Sequence, residues 1–266
     1  MKQVPVRGVV AALFTTIAFA APGLAQEQET KEPWRTRIGL GVQLAPGFPG
    51  ADSVSIRPLI SVSRTRGDSP FGFEAPDESF GFPVVQQGSF AFGPAIGFQG
   101  SRSARDVGAN LPKVGFTVEA GAFAQYSVSE SFRLRAEVRK GLGGHKGLVS
   151  NIGADFVARE GDKWLFSVGP RVTIADRKYQ TAYFTVAPID SVNSGLAAYS
   201  ARGGIESAGA AAGYIRQLST RWGLYSYAKY DRLVGDAARS PIVVKFGSRD
   251  QFSGGLAATY TFGGGR

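Results

Sequence analysis

Between Ser131 and Leu142, charged side chains fall on every second residue, Arg133, Arg135, Glu137 and Arg139, alternating with Phe132, Leu134, Ala136 and Val138. A period of two puts successive side chains on opposite faces of an extended strand, so the guanidinium groups share one face and the apolar groups the other. A row of arginines can do one of two things: draw anions along a path, or lock onto carboxylates and fill space. Arg159 and Arg171 join the row from later strands, and Glu119, Glu137, Asp155 and Asp231 supply counter-charges. Charges confined to a narrow interior pair with each other when they can, so a salt-bridge network is the leading reading and an anion-attracting pore the alternative. The candidate lumen-lining residues are therefore Arg133, Arg135, Glu137, Arg139, Asp155, Arg171 and Asp231.

Other reactive groups are scarce. His145 is the one histidine and there is no cysteine, which removes disulfides and thiolate metal sites from consideration. A metal centre would need a second ligand at matching spacing, and a serine hydrolase a serine set to pair with the imidazole; neither is apparent. His145 sits in the glycine-rich run Gly141 to Gly147 and reads as a loop-tip residue that orders its turn by hydrogen bonding. Asp236 reads in the same way, as an acceptor for backbone N–H groups in a surface loop, with Arg249 as a possible partner. No cofactor and no catalytic residue is expected.

The strands that carry these charges need an apolar phase for their other face. Val114, Phe116, Val118, Ala120, Ala122, Ala124 and Tyr126 form the apolar side of the preceding stretch. A row of alanines fills a protein core badly but is tolerable against lipid, and the aromatic residues sit at the ends, where a membrane interface would be. A transmembrane strand needs roughly 9–11 residues, and these runs have that length. Trp164, Phe166, Val168, Pro170, Val172 and Ile174 repeat the outward pattern, with Pro170 awkward because proline removes a ladder donor. The expected fold is all-β, a transmembrane antiparallel up-and-down barrel in a bacterial outer membrane.

Residues 1–25 read as an export signal, with Lys2 and Arg7 before the apolar run Gly8 to Ala21 and small residues at Gly23 and Ala25. The barrel domain would then span residues 26–266. Removing Lys2 and Arg7 from the 30 basic residues leaves 28 against 21 acidic ones, a balance of +7. Export and the scatter of the basic residues argue against nucleic acid, and the expected anionic neighbours are lipopolysaccharide phosphates among the outer-membrane lipid. Glycine, at 36 of 266 residues, is roughly twice its usual ~7%, as suits a crowded barrel interior.

Twelve candidate strands lie near residues 34–45, 53–64, 69–75, 79–86, 89–100, 114–127, 131–141, 148–159, 163–174, 203–217, 221–233 and 251–262. The third and fourth are short and rich in Pro and Gly, which leaves ten strands as the competing count. Tight connections, such as VSES, EGDK and LSTR, alternate with longer ones at 101–113, 175–202 and 234–250. Short periplasmic turns and long surface loops alternate in this way along outer-membrane barrels. Within loop 175–202, Pro188 to Ser194 is expected to form a helical turn, and Tyr179, Tyr183, Phe184 and Tyr199 give the loop a face that folds into the mouth or meets a partner outside.

Several strings fall at these strand ends: Gly141 to Gly147, Ser194-Gly195-Leu196, Tyr230 to Pro241 with its run RLVGDAARSP, and Gly247 to Phe252. With Glu119-Ala120-Gly121 and Gly169-Pro170-Arg171, the chain resembles the MipA/OmpV family of outer-membrane proteins over most of residues 34 to 262, least closely over 65 to 112. The resemblance implies an outer-membrane barrel and, for the family's namesake, a scaffold joining a murein-degrading lytic transglycosylase to a murein-synthesising penicillin-binding protein. Other members are described as antigens or as porin-like proteins, so a small diffusion or uptake channel is the alternative function. The family brings no catalytic residues with it.

Overall fold

The structure is a computed structural model that describes residues 32–263; the signal segment read at 1–25 and the last three residues of the GGGR tail lie outside them. Twelve strands form one antiparallel sheet: β1 (Trp34–Pro46), β2 (Val54–Arg66), β3 (Phe80–Gly81), β4 (Val85–Gln87), β5 (Phe90–Gln99), β6 (Thr117–Ser127), β7 (Phe132–Gly143), β8 (Leu148–Glu160), β9 (Trp164–Ala175), β10 (Gly204–Gln217), β11 (Trp222–Leu233) and β12 (Asp250–Phe262). From β5 to β12 each strand pairs with its neighbour in sequence, β12 returns to β1, and β2 pairs with β1. The sheet therefore curls round until its first and last strands meet, and it ends on β2 at one side and β3 at the other.

The period-two pattern holds along it. Leu40, Val42, Leu44, Phe132, Leu134, Val138 and Ile152 point outward and are exposed, while Arg133, Glu137, Asp155, Ser167 and Arg171 are buried on the inner face. Such an inverted distribution is what a membrane wall requires, since lipid takes the place of a second sheet. The spanning strands run 10 to 14 residues, and the strands on either side of Pro170 accommodate it locally. The β8–β9 register skips Ala154 and Asp155, and Arg171 Nη1 donates to the carbonyl oxygens of Ala154 (3.2 Å) and Pro170 (3.0 Å). A side chain thus satisfies the acceptor at the point where the ladder is interrupted.

The sequence reading fails over 67–79. Residues 69–75 form no strand, and the expected strand at 79–86 is broken into β3 and β4. Pro70, Pro76 and Pro83 remove ladder donors there, and Gly67 turns with φ +52° at the end of β2. The segment leaves the wall and packs against the inner face of the sheet.

The main hydrophobic core lies in the long connections and against the strand ends they join. Phe48, Val107, Leu111, Tyr179, Tyr183, Phe184, Leu196, Leu233, Ile242 and Val243 form one buried cluster. It is built from α1 (Ala104–Val107), α2 (Arg177–Phe184), α4 (Gly235–Arg239) and α5 (Pro241–Phe246), with α3 (Pro188–Ser194) outside it. Asp176 caps α2 by accepting from Tyr179 N at 2.8 Å, and Pro241 opens α5 at a position where its missing donor costs nothing. Loop 175–202 thus folds into the mouth, and its Pro188–Ser194 turn is helical as expected.

Candidate functional site within the barrel

The inner face and the 67–79 segment make one polar site. Arg133 pairs with Asp155 at 2.7 Å and with Glu78, and its guanidinium lies 4.2 Å from the centre of the Phe73 ring. Arg171 bridges Asp155 at 2.6 Å and Asp77 at 3.0 Å, and Lys229 reaches both Asp77 (3.2 Å) and Asp231 (3.0 Å). Arg135 pairs with Glu137 at 2.7 Å and stacks over Phe123 at 3.8 Å. Arg139 binds Glu119 at 2.9 Å, Asn151 at 2.7 Å, and Glu137. Cation and carboxylate alternate across five strands, and the internal segment supplies Asp77 and Glu78. Each guanidinium, ammonium and carboxylate named in this network faces an opposite charge, which is the condition for keeping such ions in a low-dielectric interior.

The lower part of the same segment is held by its backbone and its rings. Phe71 N–H donates to Asp162 at 3.0 Å, Arg159 Nη1 donates to the Phe71 carbonyl at 2.8 Å, and Arg37 sits 4.3 Å above the Phe71 ring. Arg159, expected on the inner face with the other arginines, serves here as a clamp. Ser79 Oγ donates to Glu137 at 2.7 Å where the segment ends. The residues Phe71, Phe73, Glu74, Asp77 and Glu78 were missed as lumen residues by the sequence reading. The signal for them is the three carboxylates of FEAPDE on either side of Pro76, facing a barrel with an arginine surplus.

His145 is no exposed loop tip; it is 3% exposed. Its Nδ1 accepts from Gly147 N–H at 3.1 Å, which orders the turn, while Nε2 lies 3.0 Å from Glu119 and the ring packs edge-on to Tyr179 at 4.8 Å. The imidazole therefore joins the charged lumen to α2, where burial pushes the Tyr179 hydroxyl up in pKa. Asp236 accepts from Arg202 N–H at 2.9 Å, and that bond is the main force holding its carboxyl below the usual range. The expected partner of Asp236 is corrected: Arg202 and Arg239 pair with it, and Arg249 donates instead to the Ala238 carbonyl at 2.8 Å. Glu206 was also missed. A register shift between Ile205 and Ser207 turns its side chain inward, and a bulge of this kind leaves no mark in the residue pattern.

Among solved structures, the chain is similar to OmpT, an outer membrane protein of Vibrio cholerae, at 8% identity and a TM-score of 0.33, covering 86% of this chain and 96% of that one. It is similar to the CymD monoaromatic hydrocarbon channel at 8% identity and TM-score 0.38, covering 87% and 88%, and to the outer membrane protein OprG from Pseudomonas aeruginosa at 11% and 0.28, covering 87% and 97%. No curated protein sequence matches. The model of the family described as MltA-interacting protein MipA matches residues 38–262, a span that takes in the wall, the internal segment and the helical mouth together. The chain belongs to the MipA family and is an outer-membrane β-barrel protein.

Proposed function

We propose that this protein is a plugged, non-enzymatic scaffold barrel that holds a murein-degrading lytic transglycosylase and a murein-synthesising penicillin-binding protein together at the outer membrane. One observation carries the plugged half of this reading: the four inner-face arginines most able to attract anions are each engaged by carboxylates, two of which belong to the 67–79 segment. A guanidinium held between two fixed acids offers little to a passing solute. The non-enzymatic half rests on His145, whose two ring nitrogens are taken by Gly147 N–H and Glu119, leaving it no nucleophile to activate. The partners are read from the family's description alone.

The connections on the side of both described ends are short, such as those at 128–131, 161–163 and 218–221. They give little of the ~800 Å² per partner of a standard interface. In this reading, partners anchored in the same membrane dock against the outer wall. The test has two arms. The purified protein in planar bilayers should give no steady conductance, whereas replacing residues 69–77 with Gly and Ser should open channels; steady conductance of the unaltered protein overturns the plug. Co-purification of a lytic transglycosylase from detergent-solubilised envelopes is expected, and its absence under cross-linking overturns the scaffold.

A further inference from the structure

We infer that Arg64 and Arg66, stacked on Trp34 at the periplasmic end of the wall, bind the phosphate of an anionic phospholipid headgroup in the adjoining leaflet. The outward face of β2 changes character along its length. Val54, Ile56, Pro58, Ile60 and Val62 follow one another at period two, all exposed, and Arg64 and Arg66 continue the same exposed face. The apolar part has the roughly 9–11 residues of a membrane-crossing strand, so the two guanidinium groups stand where hydrocarbon gives way to headgroups. The rings at this end of the wall agree. Trp34 opens β1, and Phe262 and Tyr260 of β12 and Trp222 of β11 follow round the rim, with ring centres 4.7 Å apart for Tyr260 and Phe262 and 4.9 Å apart for Trp222 and Tyr260. Aromatic belts of this kind mark a membrane–water interface. The short connections lie on this side, which makes it the periplasmic interface, where the leaflet is phospholipid.

Trp34 holds the pair in place. It stands opposite Arg66 in the β1–β2 register, and the guanidinium carbons of Arg64 and Arg66 lie 4.0 Å and 4.2 Å from the centre of its ring. Both distances are well inside the ~6 Å reach of a cation–π contact. Stacking uses the face of a guanidinium and leaves the N–H groups round its edge free to donate. Those groups have no protein acceptor. Among the described residues Arg64 and Arg66 form neither an ion pair nor a side-chain hydrogen bond, and Glu32 and Asp68, the acids nearest in sequence, pair with neither. Arg35, next in the chain to Trp34 but on the inner face, shows the contrast, with Asp162 at 3.0 Å. Inside the barrel the arginines of the network meet carboxylates, whereas here two cations spaced about 7 Å along one strand meet none. A phosphate supplies the missing acceptors, since its oxygens accept two parallel N–H bonds from a guanidinium fork. Two uncompensated positive charges favour a headgroup of net negative charge over a zwitterionic one. Both side chains are exposed, so the headgroup layer itself gives the ligand its room.

The site does not depend on the scaffold reading. Trp34, Trp164 and Trp222 are the three tryptophans, so the full mature protein with Trp164→Phe and Trp222→Phe keeps Trp34 as a reporter inside the site. It is folded into phosphatidylcholine vesicles in which a small fraction of the lipid carries bromine on its acyl chains, either as phosphatidylglycerol or as phosphatidylcholine. Brominated phosphatidylglycerol should quench Trp34 about fivefold more effectively per mole than brominated phosphatidylcholine. Arg64→Gln with Arg66→Gln should make the two lipids equal, and each single exchange should lower the preference, which keeps the test decisive if the double variant does not fold. Arg64→Lys with Arg66→Lys keeps the charge without the planar fork and should lose more than half of the preference. Equal quenching by both lipids with the arginines intact overturns the proposal. A lysine pair that keeps the full preference replaces the site by diffuse surface charge and overturns it too. Inorganic phosphate added at constant ionic strength should leave the quenching in place; relief of quenching assigns the pair to free phosphate and overturns the lipid assignment.

Discussion

Asp155 is the residue on which most of the inner network converges, since both Arg133 and Arg171 reach it and it is only 2% exposed. Leaving a buried ion without any partner costs about 3–5 kcal/mol. Here Glu78 still faces Arg133 and Asp77 still faces Arg171, so Asp155→Asn should cost nearer the roughly 1.5–3 kcal/mol of hydrogen bonds to charged groups. Urea unfolding in vesicles measures it, and the cost should rise when residues 69–77 are replaced, because the spare carboxylate Asp77 goes with them. At the mouth, Asp236 titrates below its ordinary value, so its contribution is complete above the unfolded-state pKa and is lost as pH falls through the depressed one. Proteolysis of the 176–203 loop should therefore quicken in acid, and Asp236→Asn should flatten that pH dependence while raising cleavage at neutral pH. The alternation of Arg133, Arg135, Glu137 and Arg139 was legible because period two needs nothing but a strand. The partners of Asp236 and His145 were not, because they come from elements distant in sequence.

The elements show where local rules are enough and where they stop. Most spanning strands form where alternation places them, within a few residues at each end. Residues 69–75 contain enough apolar character to pass as a strand, and only the competition between pairing and pairing-free packing decides against it: prolines weaken the ladder, while arginines 37, 133 and 159 reward the segment for turning inward. Curvature is likewise an element property. A Cβ on Gly121 would lie 1.9 Å from the Val138 carbonyl, and one on Gly209 1.9 Å from that of Tyr230, so at these places the sheet bends inward where only glycine fits. Gly121→Ala and Gly209→Ala should each destabilise the barrel by about 1–3 kcal/mol, the range for overpacking, as read from the midpoint of urea unfolding. An exchange at Gly88, with nothing near its Cβ, tests turn conformation alone and separates backbone strain from wall crowding.

At the scale of the whole molecule, the chain is a lipid-facing wall with its hydrophobic core moved to one end, under α2, α4 and α5. The conductance and co-purification experiments read the whole molecule, since a plug matters only to a wall that encloses it. Sequence alone determined that the wall is made of strands, that one face meets lipid, that short and long connections alternate, and to which family the chain belongs. These follow from period, composition and strings that each residue carries with its near neighbours. Tertiary structure alone decided that residues 67–79 fill the interior, that the inner arginines are matched by Asp77 and Glu78, that His145 is buried, and that the sheet ends on β2 and β3. Each of these depends on which distant groups come within reach once the sheet has curled, a distance that no local pattern encodes.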